Sequence, residues 1–231
     1  AVTLTHQLDV EATRALSDAT STYGMKMPEM LLTALALALA EWTESPTVRI
    51  DLEGHGREDL DGLPDVPQTV GWFTSLYPVT LQPAPASPRD ALVHVKEALR
   101  GVPNKGLGYG LLRYAATDAG RQQLGATSAE VLFNYMGQAT PPSDSQSPLG
   151  GAVELAGSRG ADGTRGHLIE INALIEDGAL TVRWTYSTER HQKATIERLA
   201  SSTRSALDAL VQHCQNPDSG AYTPSDFPDV D

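Results

Sequence analysis

Asp51-Leu-Glu-Gly-His-Gly-Arg-Glu58 gathers three carboxylates, an imidazole and a guanidinium around two glycines. It continues an alternating run, Thr47-Val-Arg-Ile-Asp-Leu52, so the pattern predicts a strand over 47–52 that stops in a tight turn. Glycine turns where other residues are sterically barred, and it lets another molecule approach the backbone closely. Groups that take up and release protons, mounted on such a turn, suit general acid–base chemistry. Three more segments of unusual composition follow. They are Val70-Gly-Trp-Phe-Thr-Ser-Leu-Tyr-Pro-Val79, Val102-Pro-Asn-Lys-Gly-Leu-Gly-Tyr-Gly-Leu-Leu-Arg-Tyr114 and Phe133-Asn-Tyr-Met-Gly-Gln138.

In this order the four segments resemble the epimerization domain of nonribosomal peptide synthetases, a branch of the condensation-domain superfamily. The resemblance runs from about Leu4 to the end. The family's other signature, His-His-x-x-x-Asp-Gly, is absent. His6, His55, His94, His167, His191 and His213 are scattered, and no two are adjacent. In the family that loop lies in the N-terminal half. The resemblance therefore implies the C-terminal lobe of an epimerization domain over residues 1–215, cut from a larger protein. Residues 216–231 would be the linker to the next module. Each lobe of the family resembles one chloramphenicol acetyltransferase protomer, with the active site in a tunnel between the two lobes.

Epimerising an α-amino acid thioester requires a base for the Cα proton, an acid to return it on the other face, and a donor for the enolate oxygen. The resemblance gives the proton-carrying roles to the absent loop's second histidine and to Glu53. A carboxylate at an apolar strand end inside a closed tunnel is expected to have a raised pKa. Read without the resemblance, Glu53 would instead pair with Arg57 to hold the loop. Glu58, beside Asp59, reads as a solvent-facing rival. Asn134 and Tyr135 match the family's Asn-Tyr pair, which faces the active site. Tyr135 can donate to the enolate or position the arm, or it is simply core. Asn134 can grip amides, since a buried Asn must find partners.

Arg57, His55, Trp72 and Lys105 are the candidates for contacts with substrate or arm. Arg57 fits a structural role better, donating to loop carbonyls, because beside the base it would depress the pKa that catalysis wants raised. His55 is ambiguous, and no second metal ligand stands at helical or hairpin spacing. Trp72 and Phe73 read as core or tunnel wall. The segment around Lys105 lacks the phosphate-loop spacing, which excludes nucleotide binding. Lys105 or Arg113 could meet the phosphate of a pantetheine arm. That arm would belong to a peptidyl carrier protein domain, so no directly bound cofactor and no metal are implied. The other implied partners are the missing N-terminal lobe and the downstream synthetase module. Alone, the chain is expected to be inactive. Two other readings stay open: a condensation-domain lobe that forms peptide bonds, and a non-catalytic lobe that docks a carrier protein.

The elements that position these residues are legible in part. Strands are expected at 2–8, 73–81, 131–135, 167–175 and 180–186, with Pro78 marking a sheet edge or a break in pairing. Helices are expected at 10–23, 28–42, 88–99, from 111 and at 193–215, capped by Asp9, Gly24 and Ser87. Asp177-Gly178 signals a hairpin. Loops are expected at 59–67, 82–87, 101–110, 139–151 and 157–166, and short β structure at 152–155. Strands mixed with helices predict an α/β sandwich with a mixed sheet.

Composition narrows the class. The 231 residues are 40% hydrophobic and 20% charged, as in a soluble globular protein, and carry a net charge of −12. That balance argues against nucleic acid and against anionic membranes as partners. Cys214 is the only cysteine, so there is no intrachain disulfide and no thiolate cluster. The most apolar run, 30–40, is too short to span a bilayer, and cytoplasmic residence is expected.

Overall fold

The computed structural model describes residues 1–58, 66, 68–84, 87–115, 117, 122, 124, 129–139 and 164–227. Strands β1 (Val2–Leu8), β2 (Val48–Gly54), β3 (Ser75–Leu81), β4 (Val131–Ala139), β5 (Ile169–Glu176) and β6 (Ala179–Tyr186) pair into one six-stranded sheet. Their order is β1-β6-β5-β4-β2-β3. The β2–β4 and β4–β5 pairs are parallel; the other three are antiparallel. The helices are α1 (Val10–Thr20), α2 (Met27–Thr43), α3 (Pro88–Arg100), α4 (Leu107–Tyr114) and α5 (Lys193–Cys214). This is the expected mixed-sheet α/β architecture. The expected segments at 139–151, 152–155 and 157–166, and most of 59–67, lie wholly or largely outside the described residues.

Alternation decides which way each strand residue points. Ile50 and Leu52 on β2, Phe133 on β4, Ile171 on β5 and Trp184 on β6 form one cluster with Leu16 of α1, Leu35 of α2, Leu92 of α3 and Leu207 of α5. Fully burying one such side chain contributes about 1.5–3 kcal/mol. This face is what holds the helices to the sheet. The other face is mostly polar. Asp51 and Glu53 share it with Asn134, and next to Asn134 stands Asn172, its register partner on β5.

Local signals end the elements. The Asp9 carboxylate accepts from the Ala12 N–H at 2.8 Å and caps α1. That helix stops at Thr20; residues 21–23 continue as a 3-10 turn, and Gly24 closes it in the left-handed region at φ 58°. Glu29 accepts from the Lys26 N–H at 2.6 Å at the start of α2. The helix is buried from Met30 through Ala36, as its all-round apolar pattern predicts. Asp177 and Gly178 both take positive φ, 50° and 80°, as a tight hairpin turn requires. Pro78 lies on β3, the sheet edge, and pairs with Asp51 without a break. An edge strand tolerates proline's missing donor. Among the described residues no helix is long and apolar enough to cross a membrane.

Candidate active site

β2 runs further than its composition suggests. Glu53 and Gly54 remain paired, with Leu76 and Ser75 of β3. Glu53 is therefore a strand residue rather than a member of the turn. The glycines that follow are explained by close approach. A Cβ on Gly54 would lie 2.9 Å from Ser75 Oγ. One on Gly56 would lie 1.6 Å from the Phe73 carbonyl oxygen, and Gly56 also has φ +64°. No side chain fits there, so the turn can fold back over β3 only with glycine.

Beyond the turn, Arg57 is occupied as a brace. Its guanidinium donates to the carbonyls of Val66 and Gly71, the latter at 3.1 Å, and lies 4.4 Å from the Phe73 ring centroid. Of its two expected roles the structure displays loop fixation. Glu58 corrects the solvent-facing expectation. Its side chain is only 12% exposed, between Lys105 Nζ at 2.5 Å and His55 Nε2 at 3.2 Å. His55 itself is exposed, and its Nδ1 accepts from the Arg57 N–H at 3.0 Å. Trp72 is 92% exposed, beside a fully exposed Val70, which rules out the core half of its expected placement as core or tunnel wall. Lys105 follows Asn104 in the left-handed region, both at φ 48°. Gly106 then passes so close to Tyr77 that a Cβ would sit 2.1 Å from its ring.

Glu53, Asn134, Tyr135, His55 and Lys105 all line one open groove of about 870 Å³ at the carboxyl ends of β2 and β4. Arg57 and Trp72 are not among its walls. Asn134 shares the polar face with Glu53, whereas Tyr135 alternates to the core side and packs against the apolar cluster. Burial pushes the Tyr135 phenol up, so it stays a protonated donor. A carboxylate, an amide and a phenol in one groove can hold a proton and stabilise a developing oxyanion.

One pair was not visible in the sequence. His167 Nε2 lies 2.7 Å from Asp51 Oδ2, two positions before Glu53 on the same face. Both residues, with Arg113, line a second groove of about 780 Å³, where Arg113 donates to the Tyr109 hydroxyl at 3.0 Å. The partners are 116 residues apart, and no spacing rule links them. Cys214 is buried, and burial pushes its thiol up, as expected of a packing residue rather than a nucleophile.

Residues 216–227 do not leave the body of the lobe. Thr223 is 5% exposed, and the turn Pro224–Asp226 is fastened to α3 by Lys96 and Arg100. Ser225 is a further wall of the Glu53 groove.

The condensation-domain family model matches residues 1–230. One of the linear gramicidin synthase proteins of Brevibacillus parabrevis is 46% identical over 96% of this chain, which spans 3% of that protein. Chondramide synthase of Chondromyces crocatus is 44% identical over 96% of the chain, which spans 6% of it. The chain thus covers a small fraction of these curated relatives. Among solved structures, the epimerization domain from the third module of tyrocidine synthetase B superposes with a TM-score of 0.76 at 36% identity. The match covers 92% of this chain and 48% of that one. The first condensation domain of the CDA synthetase shares the fold, with a TM-score of 0.62 at 16% identity, over 95% of this chain and 46% of that one.

Proposed function

Because this chain belongs to the condensation-domain family, we propose that it forms the C-terminal half of an epimerization domain in a nonribosomal peptide synthetase. The observation that carries this reading is Glu53, fixed within a strand and lining the same groove as Asn134 and Tyr135. In the proposed reaction the Cα–H bond of an L-aminoacyl or L-peptidyl thioester breaks. The base takes the proton, and the electron pair delocalises onto the thioester oxygen. A proton then returns to the opposite face of Cα. Glu53 is one of the two proton carriers. Asn134 and Tyr135 hold the carbonyl and the phosphopantetheine arm, which is borne by a peptidyl carrier protein. The second carrier, a histidine, belongs to an N-terminal half closing over this groove. Coverage of 48% of the tyrocidine epimerization domain is consistent with that division.

The test follows deuterium entering Cα from heavy water in the parent synthetase, loaded with an L-aminoacyl carrier protein. Exchange in the wild type and its loss in Glu53→Gln supports the reading. Equal exchange in both moves the base elsewhere. Peptide-bond formation without exchange replaces the reading with condensation.

A further inference from the structure

Lys96 is fully buried on α3, with 0% of its side chain exposed. A lysine is tolerated there only if its charge is met. Two acceptors meet it: the Tyr23 carbonyl at 2.7 Å and Asp226 Oδ2 at 2.6 Å. The other Asp226 oxygen takes a 2.8 Å bond from Arg100 Nη1, and Oδ2 also accepts the Thr223 N–H at 2.8 Å. Ser225, between them, donates to Glu97 at 2.5 Å and accepts from Arg100 at 3.3 Å. Arg100 in turn reaches Glu29 at 3.5 Å. Lys96, Glu97 and Arg100 of α3, with Glu29 of α2 behind them, thus converge on one short turn near the end of the chain. A free linker would need none of these contacts.

The turn is also placed where it matters. Ser225, Arg100 and Glu29 line the same groove as Glu53 and Asn134. We infer that the Thr223–Asp226 turn, locked by Lys96, sets Ser225 as a wall of the substrate groove, and that Ser225 limits the size of the acyl side chain admitted to it. This rests on the groove being the thioester site. Arg100 and Asp226 act through the turn and are positioning residues, because their polar atoms are already matched to one another.

Binding is measured by calorimetry on the complete synthetase, with two unreactive pantetheine amides as probes, one carrying alanine and one phenylalanine. Ser225→Trp is expected to weaken the phenylalanyl amide by about tenfold or more and the alanyl amide by no more than about twofold. Asp226→Asn, which keeps the side chain's size and removes the countercharge of Lys96, is expected to loosen the wall and narrow the difference between the two probes. Hydrogen exchange of the 221–227 amides, protected in the wild type and in Ser225→Trp, is expected to accelerate in Asp226→Asn. Equal weakening of both probes by Ser225→Trp, or none, overturns the inference. So does failure of both probes to bind the wild type. If the wild type binds and ranks the probes but exchanges no Cα proton, the epimerase reading falls and the wall stands.

Discussion

His167 closes onto Asp51 at 2.7 Å, joining the segment just before β5 to the middle of β2. The two side chains are 11% and 14% exposed, so each would lose its partner in a place water reaches poorly. Either His167→Ala or Asp51→Ala is expected to lower stability by about 1–3 kcal/mol. The double variant is expected to cost less than the sum, since the two act as one unit. Urea midpoints of the four proteins check this. Additive losses would mean that the contact carries no energy of its own.

Glu53→Gln keeps the size of the side chain and removes its proton-accepting form. Cα exchange is expected to fall about 10²–10⁴-fold. Tyr135→Phe keeps the ring against the core and removes only the hydroxyl, so an unchanged unfolding midpoint is expected with a loss of about 10²-fold in exchange. Burial raises the Tyr135 pKa above that of a free phenol, so the phenol stays neutral across the neutral pH range. The rate profile is therefore expected to show no limb from this group at neutral pH. A rate that drops as pH rises from 7 to 9 in the wild type, and not in Tyr135→Phe, would contradict the assignment.

Asp226 makes the clasp acid-labile. The hydrogen bond from Lys96, with the Thr223 N–H and Arg100, outweighs the cost of burial and holds the carboxyl well below the usual carboxylate range. The folded pKa is below the unfolded one, so its contribution is complete above about pH 4 and shrinks as pH falls further. The unfolded chain then binds a proton that the folded chain refuses. Between pH 5 and 2.5 the wild type is expected to lose stability more steeply than Asp226→Asn. Thermal midpoints across that range decide it, and parallel curves would count against the pairing.

Gly56→Ala should be among the most disruptive changes available in the site. The new methyl would meet the Phe73 carbonyl at 1.6 Å in a left-handed backbone. The turn must move away from β3, and Arg57 then loses Val66 and Gly71. A cost of roughly 1–3 kcal/mol is expected, together with a large loss of Cα exchange. Gly166→Ala, where a Cβ meets nothing within 4 Å, is the matched control and should behave as wild type.

The sequence was informative where structure is set by near neighbours. Asp9 and Ser87 cap the helices expected of them, and Asp177-Gly178 turns the hairpin. The strand that leads to Glu53 and the one that carries Asn134 and Tyr135 could be placed because their period is local, but the expected end at Leu52 fell short, since pairing of Glu53 and Gly54 with β3 is set by a distant segment. Contacts between distant segments had no such signal. Nothing around Lys96 announces burial, because its partner Asp226 lies 130 residues on. Glu58 looked solvated beside Asp59, since Lys105 arrives from a different loop. The core placement offered for Trp72 missed in the opposite direction, since the residue is exposed. A large apolar residue is a guide to the interior only on average.

Among the described residues the first strand finds its only sheet partner in β6; Thr3 reaches Thr185 from 182 residues away. On a ribosome adding about 5–20 residues per second, β1 therefore emerges roughly 10–40 s before the strand it needs. Through that interval Leu4 and Leu8 lack the Trp184 and Leu180 opposite which they end up, and a strand without its partner is the kind of template that captures another chain. The order of synthesis places the burden of solubility on whatever shields that strand until the β5–β6 hairpin has left the exit tunnel.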